Sequence, residues 1–126
     1  MQNNKARIKI EINNEANAPI KIAEVKKDIK KFLKDLSASR KPLDISVALV
    51  DKKTIRELNR RYRRVNKITN VLTFGKLGED FTEIVICWDR IKEEALGAKM
   101  PIGEYFDYAL KHGIKNLLKA KSERKI

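Results

Sequence analysis

Ile45-Ser46-Val47-Ala48-Leu49-Val50-Asp51-Lys52-Lys53-Thr54-Ile55-Arg56-Glu57-Leu58-Asn59-Arg60-Arg61-Tyr62 changes its apolar period part-way along. Ile45, Val47 and Leu49 recur every second residue, the spacing of a strand with one face buried. Ile55, Leu58 and Tyr62 recur three and four apart, the spacing of a short helix with a buried stripe. Asp51 stands at the junction, where its carboxylate can accept the amide N–H of Thr54 and cap the helix. The stretch therefore predicts a strand that runs directly into a capped helix.

The same reading extends in both directions. Ile8, Ile10 and Ile12 alternate with Arg7, Lys9 and Glu11, which predicts an earlier strand. Asn13 to Ala18 reads as a polar loop. Pro19 then opens a helix running to about Leu36, with Ile22, Val25, Ile29, Phe32, Leu33 and Leu36 on one face and a row of lysines on the other. Ser37 to Pro42 is a loop. After the helix, Val65-Asn66-Lys67 is a turn, Val71 to Phe74 a strand, Gly75 to Asp80 a loop and Glu83 to Cys87 a strand. A helix over about Asp89 to Leu96 is expected to end at Gly97. Pro101 marks the first turn of a last helix with Ile102, Tyr105, Phe106, Ala109, Gly113, Ile114 and Leu117 at its apolar positions. The order β-α-β-α-β-β-α-α predicts an α+β fold, a four-stranded mixed sheet packed by helices. The length suits one domain over 1–126, with about 119–126 as a frayed basic tail.

Lys and Arg number 29 against 17 Asp and Glu, a net charge of +12. A field of that sign favours polyanions. Cys87 is the single cysteine and lies in the apolar run Ile84-Val85-Ile86-Cys87, so it reads as core. With one Cys and one His, internal disulfides and ordinary Cys/His structural zinc sites are excluded. Neither a signal peptide nor a membrane span is visible, so the expected location is cytoplasmic, with no membrane partner.

Positive charge concentrates in two places. Lys52, Lys53, Arg56, Arg60, Arg61, Arg63, Arg64 and Lys67 face only Glu57 in sequence. Guanidinium forks match phosphate oxygens bidentately, so Arg56, Arg60, Arg61, Arg63, Arg64 and Lys67 are candidate RNA-phosphate contacts. Lys111, Lys115, Lys119, Lys121, Arg124 and Lys125 form the second group, read partly as charges complementing a helix dipole and partly as an RNA or ribosome contact. His112 lies on the last helix with Asn116 one turn later. A metal-binding helix places two ligands at that spacing, but an amide binds transition metals poorly.

The blocks Ile45–Asp51, Ile55–Asn59, Tyr62-Arg63, Thr69–Phe74, Glu83–Cys87, Asp89–Ile91 and Glu94-Ala95 resemble the YbeY family of ribosomal-RNA maturation factors. Their order and spacing carry the resemblance, which covers roughly residues 44 to 118. It implies an α+β fold with a metalloprotease-like central helix, and single-strand endoribonuclease activity in rRNA processing. It also implies zinc on a motif His-Gly-x-Leu-His, a glycine turn, and a third His. The motif lines up on His112-Gly113-Ile114-Lys115-Asn116 with Ser122 at the third position. His112 thus matches the first metal ligand, whereas Asn116 and Ser122 do not match the others, and Lys119 replaces the turn glycine. The family's functional arginine matches Arg63, so Arg63 and His112 are the implied catalytic residues. Glu83 and Thr82 stand where the family often has Asp after Gly.

Two readings stay open from the residues: an rRNA-processing endoribonuclease that is weakened or uses altered ligands such as His112 with Glu123, and a non-catalytic RNA- or ribosome-binding relative. A truncated or altered form of an active enzyme is a more distant third. The expected partners are single-stranded RNA, in particular rRNA, and the small ribosomal subunit or its proteins. Zinc is expected to be absent or weakly held.

Overall fold

The computed structural model describes residues 8–35, 43–76 and 82–119. Its elements are β1 (Ile8–Asn14), α1 (Ile22–Asp35), β2 (Leu43–Val50), α2 (Lys52–Arg63), β3 (Val71–Phe74), β4 (Glu83–Cys87), α3 (Trp88–Ala98) and α4 (Ile102–Lys119). The sheet order is β1-β2-β4-β3. β2 runs parallel to β1, with Ile10 opposite Ile45, and parallel to β4, with Val47 opposite Ile84. β3 is an edge strand, antiparallel to β4, with Thr73 opposite Ile84. The expected α+β class and four-stranded mixed sheet are therefore what the chain adopts.

Parallel neighbours need a crossover, and α1 supplies it between β1 and β2. Side chains alternate across the strands and fill two layers. Ile45, Val47, Leu49, Ile84 and Ile86 meet Ile29 and Leu33 of α1, Trp88 and Ile91 of α3, and Phe106, Leu110, Ile114 and Leu117 of α4. Ala48, Val50, Leu72, Val85 and Cys87 meet Ile55 and Leu58 of α2 on the other face. β2 is thus covered on both sides. The alternation read from Ile45, Val47 and Leu49 captured only one of its faces.

Asp51 caps α2 as expected, its carboxylate accepting the Thr54 N–H at 2.8 Å. Other boundaries differ. α1 begins at Ile22, because Lys21 supplies the first carbonyl, accepting from Val25 N–H at 3.1 Å. Pro19 instead follows a turn clamped by Asn14, which donates to the Ala18 carbonyl at 2.8 Å and accepts the Ala18 N–H at 2.9 Å. Gly97 does not end α3. The helix runs on to Ala98, and Lys99 turns the chain at φ 56°, with Met100 N–H reaching back to the Ala95 carbonyl at 2.9 Å. Pro101 precedes α4, and its carbonyl accepts the Tyr105 N–H at 3.0 Å. Tyr62 is 60% exposed and does not join the buried stripe of α2, whose last turn extends past the layer it covers. Ile102 is likewise exposed, at the start of α4. Leu36, the Ser37–Pro42 loop, most of the Gly75–Asp80 loop and the basic tail beyond Lys119 lie outside the described residues.

Candidate functional site

The edge strand β3 is touched on its two faces by the neighbours of Arg63 and His112. On one face, Phe74 meets the ring of Tyr62 edge-on at 5.6 Å, beside Arg63. On the other face, Thr73 lies against Gly113, beside His112. A Cβ at Gly113 would come 3.1 Å from Ile84 Cγ2 and 3.6 Å from Thr73 Cγ2, so glycine lets α4 approach the sheet here. Arg63 and His112 consequently sit on helices packed against opposite faces of the sheet.

The basic end of α2 divides into committed and outward-facing groups. Arg60 forms a fork on Glu57, Nε to Oε1 at 3.1 Å and Nη2 to Oε2 at 2.6 Å, and Arg61 lies 3.6 Å from the same carboxylate. This pairing holds the Glu57 carboxyl below its usual range, the Arg60 hydrogen bond being the largest cause. Arg56 donates from Nε to the Asn66 side-chain oxygen at 2.9 Å. Among the described residues no carboxylate pairs with Arg63, Arg64 or Lys67, and all three are exposed. Arg64 closes α2 in the left-handed region at φ 60°, its N–H bonded to the Arg60 carbonyl at 3.1 Å. Asn59, buried to 5% exposure, donates to the Lys67 carbonyl at 3.0 Å and so fixes the turn after the helix. Sequence reading missed this role, although a polar residue on the buried stripe one turn after Ile55 was its signal.

A second arrangement, also missed, ties α3 to α4 and to Asn70, the residue before β3. Glu94 Oε1 accepts from the Asn70 amide at 2.8 Å and from the Tyr105 hydroxyl at 2.9 Å, while its Oε2 accepts from Arg90 Nη2 at 3.2 Å. The Glu94 bond pushes the Tyr105 phenol pKa upward. Tyr105 in turn lies 5.7 Å from the Tyr108 ring, and Tyr108 stacks on His112 at 6.3 Å with 21° between planes. Lys52 of α2 pairs with Glu93 of α3 and braces the other end of the same frame.

Below Tyr62 and Phe74 opens a cavity of about 440 Å³, walled by Ala48, Val50, Leu58 and Val85 and reached by Glu15 and Glu83. Burial raises the Glu83 carboxyl pKa, and the nearby Glu15 adds to the rise. Thr82, in the glycine position of the family block, is buried and donates its hydroxyl to the Asp44 carbonyl. Cys87 is fully buried, and burial raises its thiol pKa, which suits a core role and not a nucleophile.

The donor set does not fit a three-histidine zinc site. His112 is exposed and offers one imidazole, Asn116 offers a neutral amide, and Ser122 lies outside the described residues. α4 stays helical through Lys119, where the family motif has its glycine turn. Among the described residues no three His, Cys, Asp or Glu side chains gather as metal ligands.

Comparison with known proteins fits this architecture. A family model described as Endoribonuclease YbeY matches residues 10–118. The Endoribonuclease YbeY of Clostridioides difficile (strain 630) is 43% identical over 54 residues, 43% of this chain and 32% of that protein. That of Syntrophus aciditrophicus (strain SB) is 26% identical over 114 residues, covering 84% of this chain and 70% of its own length. That of Ehrlichia canis (strain Jake) is 35% identical over 98 residues, covering 75% and 64%. The chain thus spans between 32% and 70% of these relatives' lengths. The solution structure of TM1509 from Thermotoga maritima superposes with a TM-score of 0.66 at 26% identity, over 90% of this chain and 75% of that one. With the fold, the order of its blocks and a family match across most of its length in agreement, the chain belongs to the YbeY family.

Proposed function

We propose that this chain acts in ribosomal-RNA maturation as a YbeY-type protein that grips single-stranded RNA at the C-terminal end of α2, with Arg63 on a phosphate. The observation that carries this is the division of the arginine cluster. Arg60 and Arg61 are tied to Glu57, whereas Arg63, Arg64 and Lys67 face outward around a left-handed cap with no carboxylate partner among the described residues. Outward guanidinium and ammonium groups clustered on one turn match a sugar-phosphate backbone. The reading takes residues 1–126 as one YbeY-like domain working in the cytoplasm on rRNA, with the small ribosomal subunit or its proteins as partner.

Holding RNA is favoured over cutting it by one specific observation, the identity of the side chains at the three ligand positions, His112, Asn116 and Ser122. Hydrolysis of a phosphodiester needs an activated water, and the zinc-bound water of the family would supply it. Here an imidazole, an amide and a hydroxyl stand where the three histidines would be.

The test of the grip is Arg63→Ala. Binding of single-stranded RNA should weaken, and the slope of log affinity against log salt should flatten by about 0.7, one phosphate contact on a single strand. Unchanged affinity and slope would remove Arg63 from the interface. Elemental analysis and a single-stranded RNA cleavage assay separate the two readings of the same fold. Stoichiometric zinc with cleavage would establish the enzyme; neither, alongside tight RNA binding, would establish the binding protein.

A further inference from the structure

We infer that the exposed stripe of α4 running through Tyr108, His112, Lys115, Asn116 and Lys119 is a stacking platform for the bases of single-stranded RNA. The inference rests on the RNA reading above and assigns a second contact for the same strand, on the other face of β3.

Positions 108, 112, 115, 116 and 119 fall on one side of a helix, over about 16 Å of its length. All five residues are exposed, Tyr108 to 59%. The opposite side of the same turns is locked into the core by Ala109, Gly113, Ile114 and Leu117, so the rotation of the stripe is fixed. The aromatic end is held as well. Tyr105 is anchored through its hydroxyl to Glu94 at 2.9 Å, Tyr108 lies 5.7 Å from Tyr105, and His112 stacks on Tyr108 with planes 21° apart. Two flat rings presented to solvent in a braced, near-parallel pair lose little freedom when a base stacks on them.

The charges along the stripe choose the occupant. Glu104 lies a turn before Tyr108, at the helix start, whereas Lys115 and Lys119 lie beyond His112. Lys111 is not part of it, being paired with Asp107 at 2.9 Å and lying over the Phe32 ring. An aromatic pair followed by an amide and two ammonium groups suits a strand that stacks its bases at one end and runs its phosphates toward the other. Every base has a π-face, an Asn side chain can both donate to and accept from a base edge, and lysines follow the backbone. The amide at Asn116 then acts on a base edge in this chain.

The experiment uses the full chain and two labelled probes of equal length, an oligoadenylate and an abasic ribose-phosphate oligomer, titrated by fluorescence anisotropy. Tyr108→Ala should weaken oligoadenylate binding roughly five- to a hundredfold, the worth of one stacked base. It should leave the abasic probe's affinity unchanged, and Tyr108→Phe should restore oligoadenylate binding. Thermal unfolding of each variant checks that the fold is intact. If Tyr108→Ala weakens both probes alike, or neither, the platform is overturned. When neither changes but Arg63→Ala still weakens RNA binding, the RNA function stands without it, and the stripe is left as a protein-contact face. If the parent protein binds neither probe at low salt, the platform and the RNA reading fall together.

Discussion

At the scale of single residues, the side chains that define the site were partly legible and partly hidden. Arg63 was reachable from charge clustering, and its side chain is exposed at the end of α2. The pairing of Arg60 and Arg61 with Glu57 follows from their spacing on a helix and marks them as less available than Arg63. Hence Arg61→Ala should reduce RNA affinity less than Arg63→Ala in the same salt titration. Glu83 was not legible, because the burial that raises its pKa, and the smaller push from Glu15 of a distant turn, arise only when the fold forms the cavity that both residues line. Its folded-state pKa is raised, so its contribution to stability is greatest at acid pH and is lost as pH rises through the folded value. Glu83→Gln should therefore stabilise the protein at neutral pH, by less than about 1 kcal/mol since the group is only partly buried. The gain should vanish below about pH 4, where both states hold the proton. Urea unfolding followed by Trp88 fluorescence across pH would read this, as Trp88 is the single tryptophan and is buried against Phe106.

At the scale of elements, strands and helices were largely visible as periodicities, and their ends were not. Asp51 was found because an N-cap acts through its own side chain. Asp51→Ala should cost about 1 kcal/mol of stability. The end of α3 was misplaced because Gly97 looks like a stop, yet the left-handed residue is Lys99. A lysine there bears a steric cost that glycine avoids, so Lys99→Gly should stabilise by about 0.5–1 kcal/mol in a thermal or urea melt. The packing of α4 is sensitive in the opposite sense. Gly113→Val would push a branched side chain into Ile84 and Thr73 and should cost about 1–3 kcal/mol. The exposed end of α2 was misread because Tyr62 keeps the helical spacing of Ile55 and Leu58, while the apolar layer it was assigned to ends a turn earlier.

At the scale of the whole molecule, the class of fold followed from the order of elements, whereas the relation between His112 and Arg63 did not. They share one family pattern in sequence, yet the sheet lies between the helices that carry them. The strand order puts β3 at the edge, where Tyr62 of one helix and Gly113 of the other rest on its two faces. A net charge of +12 predicts that RNA affinity falls steeply with salt across the whole chain, with single-site variants changing the slope in steps. The strand order also governs when the chain can fold. β2 sits between β1 and β4, and the partner on its second edge is completed only at Cys87. The layer over its larger face needs α4, which ends at Lys119. Most of the polypeptide must therefore be synthesised before its central strand is enclosed, and a nascent chain halted before Glu83 should show no cooperative unfolding and ready digestion by protease.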